Sequence, residues 1–290
     1  MVKMLSQLDH VGRVCLAAIL IVLLMGVFAP WIAPHDPTLV SIADKFKPVS
    51  ADYWLGTDQL GRCVFSRLIF GIRATVFTAL LAMILTISIG GLLGLIAGYF
   101  GGRVDSFLMR LCDMIMSFPG DVMILAIVGI LGPSLLHIIG SIVIIKWAWY
   151  ARIIRGAVRR YKNQNFILFA RVHRASFFYI LRKHLLPCVT TEVLALVTIN
   201  IGGVVLMISA LSFLGLGIQA PTPEWGTMLS EAKNFMTTRP YLMLPPGLAI
   251  TLIVIAFNYL GDSLQDRLTH HAPAKKSVLK RISHTAGDNQ

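Results

Sequence analysis

The chain has 290 residues, of which 56% are hydrophobic and 14% are charged, and its formal net charge is +12. Soluble domains average about 45–50% apolar and about 25% charged residues, so this composition, with a mean hydropathy of +0.73, excludes an ordinary soluble domain and predicts an integral membrane protein. The positive charge collects between Arg152 and Lys183 and between Arg267 and Arg281. That distribution suits anionic lipid headgroups as partners, and since no base-reading motif accompanies it, nucleic acid is excluded.

Residues 1–13 form a short N-terminal segment, and the first predicted membrane span follows at residues 14–32. A span needs about 20 apolar residues. This run is long and ends in Ala29-Pro30-Trp31 without a clear cleavage site, so an uncleaved span is predicted rather than a signal peptide. Residues 33–73 form a polar, turn-rich segment, and its last part, 64–73, is predicted to be an amphipathic helix on the membrane surface.

Five further spans follow. The second, residues 74–99, carries glycines at small-xxx-small spacing, which lets another helix approach closely; they include Gly90, Gly94 and Gly98. The third, residues 105–130, contains Pro119, which is expected to kink it. The fourth, fifth and sixth predicted spans cover residues 134–151, 189–211 and 242–264. Residues 269–290 are a polar, basic tail that is predicted to be disordered, and its start, His270-His271, is predicted to be a solvated pair rather than a metal site.

A basic, amphipathic loop, residues 152–188, lies between the fourth and fifth spans. The excess of Lys and Arg in cytoplasmic loops places this loop in the cytoplasm, together with both termini. Residues 33–73 are then extracytoplasmic; they carry five basic residues against the rule, which weakens for long segments. The apolar side chains of the loop need something to pack against, so the loop is predicted to be a docking surface for a soluble partner.

The chain carries no recognisable catalytic motif. The GxxxxGK[ST], HExxH and GxSxG patterns are all missing from the sequence, so we expect neither an enzyme nor ATP binding by the phosphate-loop route. The four cysteines, Cys15, Cys63, Cys112 and Cys188, are scattered and show neither a CxxC pattern nor a disulfide framework. They are predicted to be small hydrophobic residues.

Two features of the third span point to a transport pathway. Asp113 is an ionisable residue inside a span and is predicted to pair with an arginine of a neighbouring helix. Met109, Met116 and Met123 recur every seven residues, with Cys112 beside them. This stripe of soft ligands is either ordinary helix packing or the wall of a pathway that tolerates metal complexes. These five residues are therefore candidate pathway residues, and no resident metal site is predicted.

Seven short motifs are distributed between residues 54 and 262. They are WLGTD at 54–58, GR at 61–62, FSRL at 65–68, GGRVD at 101–105, SFLGLG at 212–217, EWG at 224–226 and AFNYLGD at 256–262. These motifs resemble the second permease subunit of the bacterial dipeptide, oligopeptide and nickel ABC importers. The resemblance covers about residues 10–268 and implies an all-α membrane protein with six transmembrane helices. Its fold would be the type I importer permease fold, with residues 74–268 as the permease domain.

The same resemblance implies the partners of the chain. It would pair with a second homologous permease, two ATPase subunits and an extracytoplasmic substrate-binding protein in the bacterial inner membrane. ATP and Mg would bind to the ATPase subunits, and this chain would hold no cofactor. Import would proceed by alternating access, in which closure of the ATPases on ATP tilts the spans and opens the pathway outward.

The basic loop is similar to the coupling loop of this family, in which EAA is followed by a glycine and then by I-x-LP. Leu168, Phe169 and Ala170 stand at EAA, Arg174 stands at the glycine, and the motif ends at Leu186-Pro187. The missing glycine is expected to remove a flexible turn. The resemblance implies that a helix within 166–180 docks on an ATPase. The predicted coupling residues are Phe166, Leu168, Phe169, Ala170, Arg171, Arg174, Ala175, Phe177, Phe178, Leu186 and Pro187.

Three signals bear on the cargo. The WAWYAR run at 147–152, Leu168 in place of the glutamate, and the IGGVVLM run at 201–207 resemble the nickel-type permease. They favour nickel or a metal–metallophore chelate over dipeptides and oligopeptides, which stay open as the alternative. A secondary transporter, which would need inverted repeats or interrupted helices around a midplane site, and a non-transporting membrane assembly or sensor subunit are the remote alternatives.

Overall fold

The computed structural model describes residues 9–270, which are mostly helical. Within that range the only β-type pairing is an isolated bridge between Thr57 and Cys63. The α-helices there are α1 (His10–Val27), α2 (Ala29–Ile32), α3 (Val64–Ile72), α4 (Thr78–Phe100), α5 (Gly102–Met116), α6 (Gly120–Leu131), α7 (Leu135–Lys162), α8 (Asn165–Val172), α9 (Phe177–Ile180), α10 (Leu186–Phe213), α11 (Trp225–Lys233) and α12 (Leu244–His270). The segments Arg73–Phe77 and Leu181–Leu185 are π-helical.

The described residues contain five helical stretches that are long and apolar enough to cross a membrane. They are His10–Val27, Val64–Phe100, Leu135–Lys162, Val193–Phe213 and Pro240–Asp266. Helices α5 and α6 form a sixth stretch that is bent by 75°. The break falls at Pro119, where the sequence predicts a kink, because a proline cannot continue the backbone hydrogen bonds of the preceding turn. The predicted all-α membrane fold with six spans is therefore confirmed.

Two helices differ from the sequence prediction. Residues 64–73 do not lie on a surface: α3 continues through the π-helical turn into α4 and buries Val64 and Ile69. Helix α7 extends to Lys162, eleven residues beyond the predicted end at 151. Charged residues end an apolar run without ending a helix, because Arg and Lys are good helix formers. The predicted tail lies outside the described residues, apart from the last two residues of α12.

The glycines of α4 allow this helix to pack closely against α7. A Cβ atom at Gly90 would lie 2.6 Å from the carbonyl oxygen of Trp147, and one at Gly94 would lie 2.5 Å from that of Ala151. At Gly98 the nearest side-chain atom would be 2.7 Å away. No larger residue fits at these positions without movement of the backbone, so the predicted small-xxx-small contact is confirmed.

Helix α1 is fastened at both ends to the rest of the bundle. The Asp9 carboxylate accepts hydrogen bonds from the backbone N–H of Gly12 at 3.0 Å, the Tyr259 hydroxyl at 2.7 Å and the Ser263 hydroxyl at 2.9 Å. It therefore caps α1 and joins it to α12. At the other end, the Arg73 guanidinium donates to two carbonyl oxygens in the last turn of α1, at 2.6 and 2.8 Å.

A buried ionic cluster fastens the segment between α2 and α3 to α11. The Asp58 carboxylate accepts hydrogen bonds from Arg62, at 2.7 Å, and from Arg67. Glu231 of α11 accepts from both arginines at 2.7 Å. Each arginine side chain is only 2% exposed, so the two carboxylates offset part of the cost of burying the guanidinium groups. The cluster explains why three of the seven motifs, at 54–58, 61–62 and 65–68, occur together.

The EWG motif forms the start of α11. Glu224 is completely buried, and its carboxylate accepts from the backbone N–H of Thr227 at 2.8 Å and from the Thr75 hydroxyl at 2.9 Å. The Trp225 indole N–H donates to the Leu68 carbonyl oxygen at 2.9 Å. Glu224 is thus the N-cap of α11. Together these bonds fix α11 against the start of the second span.

Candidate functional site

The basic loop between α7 and α10 folds into two short helices, α8 and α9, followed by the π-helical segment Leu181–Leu185. The Ser176 hydroxyl accepts from the backbone N–H of Tyr179 at 3.3 Å, which caps the start of α9. The loop is therefore a helix–turn–helix unit at the end of α7.

The turn between α8 and α9 is a Schellman motif. The backbone N–H of Ala175 donates to the Ala170 carbonyl oxygen at 3.0 Å, which is the 6→1 bond of this motif, and His173 makes the last regular helical bond of α8, to the Phe169 carbonyl oxygen at 3.1 Å. Arg174 has φ +55°, the left-handed conformation that this motif needs and that glycine adopts most readily. The expectation that loss of the glycine removes the turn is wrong: the turn persists with arginine in the glycine position.

We expect Arg174→Gly to keep the turn and the thermal unfolding midpoint of the chain. A non-glycine residue in this conformation costs roughly 1–2 kcal/mol, and glycine relieves that cost at the expense of a more flexible unfolded chain. A β-branched residue suits φ > 0 least, so Arg174→Val is expected to lower the thermal unfolding midpoint. Circular dichroism of the purified variants measures both effects. Equal midpoints for the two variants would contradict the assignment of the turn.

Some apolar residues of the loop are buried against the rest of the chain, and others are exposed. Ile167 and Ile180 are fully buried in the core of the bundle. Phe169 is 66% exposed and Phe178 is 76% exposed. Phe166 and Leu168 are also exposed. Large exposed apolar side chains on a charged loop are typical of an interaction surface.

The other predicted coupling residues occupy varied positions. Ala170 is buried and Ala175 packs partly against the core, so both support the turn from within. Arg174 is exposed. Leu186 and Pro187 begin α10, which continues directly from the π-helical segment Leu181–Leu185; a π-helical turn is a common way for a helix to accommodate an irregularity such as a missing N–H. The side chains of Arg171 and Phe177 lie outside the described part of the structure.

Arginines of α7 clamp this helix to α5 beside the loop. Arg155 pairs with Asp105, with 2.6 Å between Nη2 and Oδ2, and Arg159 lies 3.8 Å from the same carboxylate. Arg152 pairs with Asp113. The prediction that Asp113 pairs with an arginine of a neighbouring helix is therefore confirmed, and the GGRVD motif supplies the second carboxylate.

The methionine stripe is divided by the bend at Pro119. Cys112 is fully buried against α7, and Met109 packs on the same small cluster. Met123 lies beyond the bend and packs against the main core. Met116 is 38% exposed and lines a cavity of about 580 Å³. The structure thus places one of these four residues at a cavity, and the pathway role of the set stays a prediction.

Two neighbouring cavities share three polar residues that the sequence analysis did not single out. The cavities, of about 580 and 430 Å³, are both lined by Asp121 of α6, Lys146 of α7 and Asn200 of α10. The Lys146 ammonium lies 3.4 Å from the Asp121 carboxylate. Lys146 is the single Lys, Arg, Asp or Glu within the predicted span 134–151, and that signal could have identified it.

Two models of known protein families match this chain. Residues 90–271 match the family model described as "Binding-protein-dependent transport system inner membrane component". Residues 9–48 match the N-terminal TM domain of oligopeptide transport permease C. The chain belongs to the binding-protein-dependent transport permeases. The first match includes the loop, the Arg–Asp clamp between α5 and α7, and all three polar residues of the cavities.

Several permeases are similar to this member of the family over nearly their whole length. Nickel transport system permease protein NikC of Escherichia coli (strain K12) is 38% identical over 259 residues, 89% of this chain and 94% of the relative. Metal-staphylopine import system permease protein CntC of Staphylococcus aureus (strain Mu50 / ATCC 700699) is 38% identical over 277 residues, which are 94% of this chain and 96% of the relative. Probable D,D-dipeptide transport system permease protein DdpC of Escherichia coli (strain K12) is 34% identical over 259 residues, which are 89% of this chain and 87% of the relative.

These permeases confirm the family that the seven motifs indicate, including its nickel-type branch. They are transport proteins and not enzymes, which agrees with the missing catalytic motifs. The chain is a multi-pass membrane protein of the importer type.

Proposed function

We propose that this permease forms half of the translocation pathway of an ATP-driven importer whose cargo is nickel or a metal chelate. The observation that carries the ATP-driven mechanism is the outward display of Phe169 and Phe178 on a loop that is itself anchored in the bundle. Burying one such aromatic side chain contributes on the order of 1.5–3 kcal/mol. The loop is thereby suited to dock in a groove of a soluble subunit.

In this proposal the soluble subunits are two ATPases, which bind ATP and Mg, while the permease binds no cofactor. A second homologous permease completes the pathway, and an extracytoplasmic binding protein delivers the cargo. Both termini of the chain are cytoplasmic. This orientation places the basic end of α7 on the cytoplasmic side, in line with the charge distribution of the loops.

The coupling step follows from the packing of the loop. When the ATPases close, α8 and α9 move with them, because the turn at Arg174 and the buried Ile167 hold the two helices to the bundle as one body. The movement passes to α7 and then to α5 through the Arg155–Asp105 pair. The spans tilt, and the pathway opens toward the binding protein.

The cargo assignment rests on the permeases that resemble the chain. Two that are 38% identical transport, by their names, nickel and metal-staphylopine. A third, 34% identical, is a probable D,D-dipeptide permease, and it keeps a dipeptide or oligopeptide importer as the second candidate.

The ligand of the partner binding protein tests this assignment. We expect native mass spectrometry and elemental analysis of that protein, purified from its own cells, to detect one transition-metal ion together with an organic chelator. A metal-free peptide in the same position would refute the metal cargo and establish the second candidate. The cargo-free protein, loaded in turn with each ligand, serves as the calibration.

A further inference from the structure

The geometry points to Asp121, Lys146 and Asn200 as a cargo-contact site within the membrane-spanning part of the chain. We propose that they bind a small molecule that carries both carboxylate groups and an amine or a coordinated metal. The inference rests on the proposed import function and narrows the class of cargo, because a chelated metal carries these groups and a bare divalent cation does not. Three helices, α6, α7 and α10, supply one residue each.

The depth of the site follows from helix geometry. Lys146 lies eleven residues after the start of α7, and Asn200 lies thirteen residues before the end of α10. Both of these helix ends are remote from the coupling loop. At 1.5 Å per residue the two side chains are about 16 and 20 Å from those ends. The hydrocarbon core of a bilayer is about 30 Å thick, so both residues lie well inside it.

An ion pair at this depth needs a polar surrounding. Both side chains of the pair are partly exposed: Lys146 is 32% exposed and Asp121 is 77% exposed. Charged residues that face lipid at the bilayer centre are strongly unfavourable, and those that occur there face a water-filled cavity or the interior of a bundle. The two adjoining cavities supply that space. The exposure of the pair is therefore best explained by an aqueous pathway along α6, α7 and α10.

The chemistry of the three side chains defines the ligand class. The Lys146 ammonium binds carboxylates and repels a hydrated divalent cation at the same point. The Asp121 carboxylate binds an amine or the metal-bearing side of a chelate, and the Asn200 amide can donate or accept. Among residues 9–270, no group of three or more His, Cys, Asp and Glu side chains is arranged to hold a metal ion. The site thus suits an aminocarboxylate, free or wrapped around a metal.

Charge-selective thiol labelling of the assembled importer tests the location. In a chain with its four native cysteines replaced, Lys146→Cys retains Asp121 and is expected to react at least threefold faster with a cationic than with an anionic methanethiosulfonate. Asp121→Cys retains Lys146, and its preference is expected to be reversed, since unit charges this close interact strongly. Ile144→Cys, 57% exposed on the same helix and outside both cavities, is the matched control and is expected to stay unlabelled.

Protection from labelling tests the ligand class. Millimolar nickel nitrilotriacetate or alanylalanine is expected to slow the labelling of Lys146→Cys, and whichever protects better identifies a chelate or a peptide as the source of the carboxylate. Protection by hydrated nickel alone, or by neither aminocarboxylate, overturns the ligand class. Equal rates for both reagents at both positions, or labelling of Ile144→Cys as fast as that of Lys146→Cys, overturns the site.

The labelling result is independent of transport. An importer that shows ATP-driven uptake but lacks the charge preference refutes only the site. An assembly without ATP-driven uptake that keeps the preference and the protection refutes only the proposed import function.

Discussion

Phe169→Asp is expected to abolish nearly all ATP-driven import while leaving the permease folded and in the membrane. Phe169 is 66% exposed, so its replacement disturbs few contacts within the chain. In the docked state the aspartate would place a charge in an apolar groove, which loses the burial energy of the ring and adds the cost of an unpaired buried charge. A combined loss of about 3 kcal/mol or more would reduce docking more than a hundredfold.

The measurement compares import and ATP hydrolysis by the reconstituted complex with two control variants. Phe169→Leu keeps an apolar contact and is expected to retain most import. Asn163→Asp adds the same charge at an exposed position between α7 and α8, and it is expected to behave as the unaltered chain. If Phe169→Asp assembles with the ATPases and imports at the normal rate, the docking surface is assigned wrongly.

Asp58→Ala is expected to have the largest effect on stability. The carboxylate bonds to both Arg62 and Arg67, which are almost completely buried. Its removal leaves two guanidinium groups close together with Glu231 as the acidic partner that remains in the cluster. Removal of one partner from a buried ionic cluster typically costs about 3–5 kcal/mol. The segment between α2 and α3 should then detach from α11.

Thermal unfolding in detergent and limited proteolysis measure this effect. Asp58→Ala is expected to lower the unfolding midpoint by several degrees and to expose residues 33–63 to protease. Asp52→Ala removes an exposed carboxylate from the same segment and is expected to change neither property. Equal unfolding midpoints for the two variants would show that the ionic cluster contributes little to the fold.

The features that sequence could predict depend on short-range patterns. The glycines Gly90, Gly94 and Gly98 fall on one side of a helix because of their spacing, and the structure places α7 against them. Pro119 breaks its helix for a reason contained in its own ring. The pairing of Asp113 followed from the cost of an isolated charge inside a span. Each of these inferences needed only a few neighbouring residues.

The ionic cluster and the cavity site could not be predicted in this way, because their members are far apart in the chain. Glu231 meets Arg62 across 169 positions, and no local pattern marks the two as partners. Asp121, Lys146 and Asn200 come together only through the packing of three helices. The end of α7 differs from the predicted end for another reason: hydropathy locates the edge of the lipid, whereas helix propensity locates the end of the helix.

The turn at Arg174 is intermediate between these cases. Comparison with the family motif identified the position but suggested that the turn is lost with its glycine. The backbone hydrogen bond from Ala175 to Ala170 preserves it, because a left-handed arginine is strained and not forbidden. Replacement of the motif glycine by Arg174 therefore raises the free energy of this turn without changing its conformation.

ATP-dependent uptake into proteoliposomes tests the central claim most directly. The permease is reconstituted with its partner permease and the two ATPases, and the loaded binding protein is supplied outside. We predict cargo accumulation that requires ATP inside the vesicles, continues after ionophores collapse all ion gradients, and is lost in Phe169→Asp. Accumulation that follows an imposed ion gradient without ATP would contradict the account and identify the chain as part of a secondary transporter.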